Sequence, residues 1–334
     1  MNKRVLTADL LLLVTAAVWG FGFVAQRSGM QFVGPFTFNG IRFLLGSLSL
    51  VPLIAFRRRG QLIRGEGTVQ KKRLFLYSFL AGSCIFIGVS LQQLGIMVTT
   101  AGNAGFITGL YVIFTPIFGI FLGKKTGKPT WLGGIITLTG LYLISTAGPF
   151  GGLNPGDLII ALSAVFWAFH VLIIDRLVQK VDPIVLSSGQ FAVAGLLALA
   201  AAFLIEPILS AWLETAGQNF RAEGLFSWQS LPALINGLSA GAIPSSLILS
   251  AAIPILYGGL VSVGIGYTLQ TVAQKNAPPA HAAIILSLEG SFAALGGILI
   301  LSEPHGGRTL IGFALMLTGM LISQWELIRG RSVG

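Results

Sequence analysis

The chain has 334 residues, of which 54% are hydrophobic and only 10% are Asp, Glu, Lys or Arg. Soluble proteins carry roughly 25% charged residues, so this composition argues against a soluble enzyme or binding domain. The net charge of +10 does not indicate a nucleic-acid partner, because the basic residues stand in short clusters between apolar runs rather than on one folded face. The single cysteine, Cys84, excludes a disulfide framework. We predict a polytopic membrane protein.

Ten apolar stretches are long enough to cross the bilayer as helices, which takes about 20 residues each. In chain order they are 8–26, 36–56, 74–98, 102–123, 130–147, 157–174, 184–205, 248–272, 280–301 and 309–327. No charged residue occurs from 74 to 123, and the polar break at 99–103 supplies the turn between two crossings. The predicted fold class is an all-α polytopic membrane protein with ten transmembrane helices.

The Lys and Arg residues between these spans predict the orientation. If the N-terminus is cytoplasmic, 17 of them fall on the cytoplasmic side, three fall on the opposite side, and Arg42 lies within a span. Cytoplasmic loops carry such an excess of positive charge. We therefore expect a multi-pass protein of the cell membrane with both termini in the cytoplasm, and the lipid bilayer as its surroundings.

Two internal comparisons indicate a duplicated chain. A shift of 148 positions aligns Asp9-Leu10 with Asp157-Leu158, Trp19 with Trp167, Pro35 with Pro183, and Phe43 with Phe191. A shift of 179 aligns Ala101 with Ala280, Ala104 with Ala283, and Leu138-Thr139-Gly140 with Leu317-Thr318-Gly319. We predict a first repeat at 8–147 and a second at 157–327, with an outer-side insertion near 206–246. Each repeat has five spans, an odd number, so the second is inverted, as in many secondary transporters.

Several of these residues also form familiar motifs. They are Trp19-Gly20-Phe21-Gly22-Phe23, Pro35, Asn39-Gly40-Ile41-Arg42-Phe43, Pro116, Gly133, Thr139-Gly140, the run 288–295 and Leu301-Ser302-Glu303. In order and doubling, they resemble the repeat of the EamA family of the drug/metabolite transporter superfamily over 8–146 and 157–325. The resemblance implies ten helices and transport of a small metabolite, often export. The chain departs from the family at Gly290, which replaces a proline, at Lys124, and in the longer connection 206–246.

Glu289 and Arg42 are the charged residues that stand out inside spans. Glu289 lies about nine residues into its span, near the midplane, where a charge costs about 2.5–3.5 kcal/mol. It therefore faces the interior, pairs with another group or is protonated, and either couples transport to protons or only locks helices together. Arg42 is predicted to snorkel to the outer surface, to form an ion-pair lock, or to hold a substrate anion with its planar fork.

Other candidates are a lone histidine, two tryptophans and several amides. His170 is either a proton relay or a neutral hydrogen-bond partner, whereas His281 and His305 stand near span ends and are expected at the interface. The remaining candidates for substrate binding or helix packing are Trp19, Trp167, Asn39, Gln92, Gln93, Asn103, Tyr111, Gln190 and Gln270. No catalytic residue, metal site or cofactor is predicted.

The leading hypothesis is a secondary transporter that moves an amino acid, nucleoside-like compound or organic anion by alternating access, with protons as one candidate coupling ion. A phosphate-binding loop for ATP is missing from the sequence. A membrane-embedded enzyme would need catalytic motifs that the sequence lacks, and a channel remains the other alternative. The aromatic residues of 206–246 suit a helix at the outer interface.

Overall fold

The structure is a computed structural model that describes residues 3–64, 71–97, 99, 101–145, 155–217, 251–302, 306–323 and 325. Every regular element within them is helical, and they contain no strand. The elements are α1 (Lys3–Gly29), α2 (Pro35–Arg64), α3 (Lys71–Ile96), α4 (Ala101–Thr108), α5 (Tyr111–Phe121), α6 (Lys128–Ser145), α7 (Pro155–Leu177), α8 (Pro183–Gly217), α9 (Ala252–Leu256), a π-helical segment π1 (Tyr257–Tyr267), α10 (Thr268–Ala273), α11 (Pro279–Leu286), α12 (Glu289–Leu301) and α13 (Gly307–Ser323).

Eight helical stretches in this part of the chain are long and apolar enough to cross a membrane. They coincide with eight of the ten predicted spans, and the other two predicted spans, 130–147 and 309–327, fall on α6 and α13. Proline begins α2, α7, α8 and α11, where its missing N–H is not needed and its fixed φ suits the first turn. The chain is a multi-pass helical membrane protein.

The outer surface of the bundle is apolar, as a surface facing lipid must be. Phe56, Phe121, Phe203 and Ile253 are each more than 75% exposed, whereas polar side chains such as Asn39, Gln93 and Gln190 are completely buried. A soluble protein has the reverse arrangement. Polar groups that point inward in a membrane protein line either helix contacts or an internal cavity.

Two predicted spans are each broken near the middle. The span predicted as 102–123 consists of α4 and α5, with the break at Gly109 and Leu110, and the span predicted as 280–301 consists of α11 and α12, with the break at Ser287 and Leu288. At both breaks the backbone tightens to bonds three residues apart, including Leu110 N–H to Ile107 O and Leu288 N–H to Ile285 O. Each stretch is still long and apolar enough to cross the membrane as one span, as predicted, but neither break was predicted at its position.

Two helix pairs are packed antiparallel through small residues. In α6 and α13, Gly133 lies against Gly319 while Gly140 lies against Gly312, and in each of these contacts an added Cβ would meet a backbone oxygen. In α2 and α8, Gly40 lies against Leu199 and Ser47 bonds to Ser188. In each pair, the residue numbers of successive contacts rise along one helix and fall along the other. The two helices of each pair therefore run in opposite directions.

The predicted insertion is described only at its start. Residues 206–217 continue α8 beyond the predicted span end at 205, and 218–250 lie outside the described residues. Glu206 is buried there, and its carboxyl accepts hydrogen bonds from the Thr37 N–H and hydroxyl, both at 2.7 Å. This carboxyl therefore satisfies a free donor at the start of α2, a position where negative charge is favourable.

Candidate functional site

A small cavity, the central cavity, lies where most helices of the bundle meet. Its volume is about 30 Å³, which is room for about two water molecules, so the cavity is too small for a metabolite in this conformation. The side chains that line it are Trp19, Phe23, Gln26, Arg42, Gln92, Thr108, Tyr111, Trp167, Val171, Ser262, Tyr267, Gln270, Leu286 and Glu289.

Arg42 reaches the central cavity from α2 and is only 2% exposed. Its Nε donates to Asn39 Oδ1 at 2.9 Å and its terminal nitrogen to Gln26 Oε1 at 3.2 Å. The guanidinium also lies 5.5 Å and 5.1 Å from the ring centres of Phe38 and Phe43. The prediction that Arg42 snorkels to the surface was wrong, because neutral amides and ring faces hold the side chain inside the bundle.

Glu289 is the first residue of α12 and faces the same cavity, with 4% of its surface exposed. The Tyr111 hydroxyl lies close to its carboxyl, although no hydrogen bond of good geometry joins that hydroxyl to any group in the described chain. A carboxylate at a helix N-terminus is stabilised by the helix dipole. No ion pair within 4 Å joins Glu289 to Arg42, so the described structure does not support the ion-pair lock.

Tyr267 lies at the centre of an aromatic cluster between these two charged groups. Its ring centre is 4.4 Å from that of Trp19 and 6.0 Å from that of Trp167. The Trp19 indole N–H donates to the Ser262 carbonyl at 3.2 Å, which ties α1 to π1. A π-helical turn is rare and is often found at functional sites. Flat rings at the wall of a cavity can cover the apolar part of a ligand or its cationic groups.

His170 lies behind this cluster and not on the cavity wall. It is completely buried, and its Nε2 pairs with Gln190 Oε1 at 3.2 Å. The His170 Nδ1 and the Gln190 Nε2 have no hydrogen-bond partner in the described part of the chain. This geometry fits the neutral hydrogen-bond role that we predicted as one of two for His170.

Of the twelve candidates predicted from the sequence, seven line the central cavity. They are Glu289, Arg42, Trp19, Trp167, Gln92, Tyr111 and Gln270. Asn39 holds Arg42, and His170 and Gln190 form the layer behind. Gln93 is completely buried away from the cavity wall, with both polar atoms lacking partners in the described residues; the Asn103 side chain lies outside what the structure describes.

Sequence reasoning missed four polar residues of the cavity: Gln26, Thr108, Ser262 and Tyr267. Gln26 stood at the predicted end of its span, but α1 continues to Gly29. Tyr267 precedes Gln270 by three residues and so shares its helix face, which is a signal that could have found it. Thr108 accepts a hydrogen bond from Gln92 Nε2 at 3.1 Å, a contact between two consecutive spans that the apolar pattern of neither span indicates.

A larger cavity opens at the end of the bundle that carries Lys124, Lys125 and Lys275, which we call the lysine end. This lysine-end cavity has a volume of about 380 Å³ and is also lined by Thr115, Asp175 and Gln274. Lys124 pairs with Asp175 at 2.6 Å. The volume of the lysine-end cavity is in the range of small-molecule sites.

Each end of the bundle has a buried aspartate that contacts a residue far from it in the chain. The two aspartates occupy corresponding positions of the chain. At the lysine end, His281 Nε2 lies 2.9 Å from Asp9 Oδ1, and both side chains are buried. At the opposite end, the Thr99 hydroxyl donates to Asp157 Oδ1 at 3.0 Å. His281, which we expected at the interface near a span end, does lie at this end of the bundle, but its side chain is buried against Asp9; His305 lies outside the described residues.

A family profile, curated relatives and a solved structure are similar to this chain. The profile of the EamA-like transporter family matches residues 6–146 and 154–324. An uncharacterized transporter of Archaeoglobus fulgidus is 27% identical over 95% of this chain and 85% of its own. The uncharacterized inner membrane transporter YedA of Escherichia coli K12 is 24% identical over 91% of this chain and 85% of its own. One solved crystal structure is 17% identical, covers 97% of this chain and 99% of its own, and has a TM-score of 0.69, which indicates a shared fold.

Proposed function

We propose that this chain, which belongs to the EamA-like transporter family and is a membrane transporter, moves a small metabolite by alternating access as a secondary transporter. The expected substrate is an amino acid, a nucleoside-like compound or an organic anion. Protons are the proposed coupling ion, and the cell membrane is the proposed location. A channel or membrane-embedded enzyme is the alternative that the experiment below must exclude.

The proposed architecture is two inverted five-helix repeats, 8–147 and 157–327, with ten transmembrane helices. The antiparallel pairs support it, because α2 corresponds to α8 at the 148-residue shift and α6 to α13 at the 179-residue shift. The contacts are reciprocal: Gly133 and Gly140 correspond to Gly312 and Gly319, yet each packs against the counterpart of the other. A two-fold axis between the repeats produces this pattern.

The breaks in the two helices also fall within one residue of corresponding positions. Gly109 and Leu110 correspond to Leu288 and Glu289 at the shift of 179. Discontinuous helices at matching positions of inverted repeats are where secondary transporters place their substrate and ion sites. In this chain, Tyr111 and Glu289 line the central cavity immediately after the two breaks, which supports a substrate site there.

The observation that carries the proposal is a buried guanidinium and a buried carboxyl that face one cavity without pairing to each other. Ionisable side chains within a bilayer are costly and mark transport paths. We assign Arg42 to an anionic group of the substrate, Glu289 to proton exchange, and the rings of Trp19 and Tyr267 to its apolar part. Because the cavity holds only about two waters, transport requires the surrounding helices to separate.

The proposed orientation puts both termini and the lysine end in the cytoplasm. The support is the distribution of 17 Lys and Arg on that side against three on the other. Lys124, Lys125 and Lys275 all lie at one end of the bundle, as this orientation requires.

A two-step experiment tests the function. A thermal-shift screen of the purified protein against amino acids, nucleosides, sugars and organic acids identifies a ligand, and flux of that ligand is then measured in proteoliposomes with an imposed pH gradient. Glu289→Gln should abolish flux driven by the gradient, and Arg42→Gln should weaken ligand binding about tenfold or more, because a hydrogen bond to a charged group is lost.

Glu206→Gln is the matched control, since Glu206 is also a buried carboxyl but lies outside the central cavity. Its flux per folded protein should equal that of the wild type. Unchanged gradient-driven flux in Glu289→Gln would contradict the coupling role. Flux that never saturates with ligand would favour a channel.

A further inference from the structure

Two helices connect the central cavity with the lysine-end cavity through pairs of polar residues spaced by four. On α5, Tyr111 lines the central cavity and Thr115 lines the lysine-end cavity. On α10, Gln270 lines the central cavity, and Gln274, just past the end of that helix, lines the lysine-end cavity. Four residues of helix span about 6 Å, so one helical turn of polar side chains separates the two cavities.

Three of these residues present a buried polar atom that lacks a partner in the described part of the chain. The atoms are the Thr115 hydroxyl, Gln270 Oε1 and Gln274 Oε1, whereas the Tyr111 hydroxyl lies close to the Glu289 carboxyl. Thr115 is completely buried and Gln274 is 1% exposed. The Gln274 amide nitrogen donates to the Val171 carbonyl at 2.9 Å, which fixes the side chain between the cavities. Buried polar groups without partners are rare, and they point to water or a ligand that binds there.

The charge of the lysine-end cavity favours an anion. Lys124 is neutralised by Asp175 at 2.6 Å, whereas no carboxylate of the described residues lies within 4 Å of the Lys125 or Lys275 amines. Two positive charges therefore remain at the cavity. A cleft lined by one sign of charge raises the local concentration of the opposite ion.

From these observations we propose that the lysine-end cavity is the binding vestibule for a small anionic metabolite, and that Thr115 and Gln274 line the hydrated passage from it to the central cavity. The proposal rests on the transport function and makes it more specific, because it names an anionic substrate and the two residues that its path must pass. Water bound to these unpartnered oxygens would connect the two cavities.

Cysteine labelling tests the passage without a transport substrate. Cys84 is the one cysteine of the chain, so Cys84→Ser gives a cysteine-free background for Thr115→Cys and Gln274→Cys in sealed vesicles. Membrane-impermeant anionic and cationic methanethiosulfonates are applied from each side. Both cysteines should react from the lysine end and not from the opposite side. Because the two positions lie on different elements, misfolding of one variant leaves the other as a test.

Thr137→Cys is the matched control for burial. Thr137 is also completely buried with an unpartnered hydroxyl in the described chain, but it packs against Gly319 on α13 and lines neither cavity. It should not react from either side. Lack of reaction at both passage cysteines from the lysine end, or equal reaction at Thr137→Cys, would overturn the passage.

The charge is tested by Lys125→Ala combined with Lys275→Ala. We compare the rates at which the anionic and the cationic reagent label Thr115→Cys. The ratio of the anionic to the cationic rate should fall about fivefold, because two nearby positive charges are removed from a mostly aqueous site. An unchanged ratio would overturn the anionic vestibule. If the cysteines react as expected but no ligand is transported, the passage stands and the transport function fails; if transport occurs without labelling, the reverse holds.

Discussion

The two ends of the bundle are closed by corresponding aspartates that have different partners. Asp9 and Asp157 align at the 148-residue shift. Asp9 pairs with His281 at the lysine end, whereas Asp157 accepts a hydrogen bond from the neutral Thr99 hydroxyl at the opposite end. Both contacts tie the first helix of one proposed repeat to the start of the fourth span of the other. Corresponding positions therefore have chemically different partners at the two ends of the bundle.

The chemistry of the partners predicts that the two contacts have unequal strength. When the His281 imidazole is protonated, it forms a buried ion pair with Asp9, and removing one partner of such a pair costs about 3–5 kcal/mol. A carboxyl that loses one hydroxyl loses a single hydrogen bond of about 1 kcal/mol. We therefore expect the lysine end to depend on its aspartate pair more strongly than the opposite end does.

The largest effect is expected for His281→Leu. The substitution leaves the Asp9 carboxyl buried with no imidazole, so the free energy of unfolding should fall by about 3 kcal/mol or more. Equilibrium unfolding in mixed detergent micelles measures it. A loss below about 1 kcal/mol would mean that the pair contributes no more than an ordinary hydrogen bond and that the two ends are equivalent.

A smaller effect is expected at the opposite end for Thr99→Val, which removes the hydroxyl and keeps the shape of the side chain. The free energy of unfolding should fall by about 1 kcal/mol in the same assay. Asp157→Asn serves as its control, because the amide oxygen still accepts from Thr99, and it should cost less than Thr99→Val. A Thr99→Val loss as large as that of His281→Leu would contradict the comparison.

Much of the fold could be predicted from the sequence, because apolar runs bounded by Lys and Arg determine where helices cross a membrane. The breaks at Gly109 and at Leu288 could not, since each lies inside a stretch that is apolar enough to cross the membrane as one span. The aspartate–histidine pair could not be predicted either. Asp9 and His281 are 272 residues apart, and each appeared alone at the end of a span.

The candidate site could be predicted where its residues are energetically costly to place inside a membrane span. Arg42 and Glu289 stood out because a charge within a span is expensive, and the structure places both at one cavity. Tyr267 did not stand out, because an aromatic residue in an apolar run has no such cost. The roles of these residues in binding and coupling stay predictions.

Alternating access requires the two ends of the bundle to open in turn, and locking each end separately tests this directly. In the Cys84→Ser background, Ser262→Cys places a thiol at the central cavity. A short bifunctional thiol reagent then cross-links one end of the bundle. The first lock joins Asp9→Cys to His281→Cys at the lysine end, and the second joins Thr99→Cys to Asp157→Cys at the opposite end. A reversible thiol block protects Ser262→Cys during either cross-linking step. An impermeant reagent is then applied from each side. We predict that the first lock leaves the central thiol reactive only from the side opposite the lysine end, and the second lock only from the lysine end. Reactivity from the same side under both locks, or from neither side, would contradict alternating access.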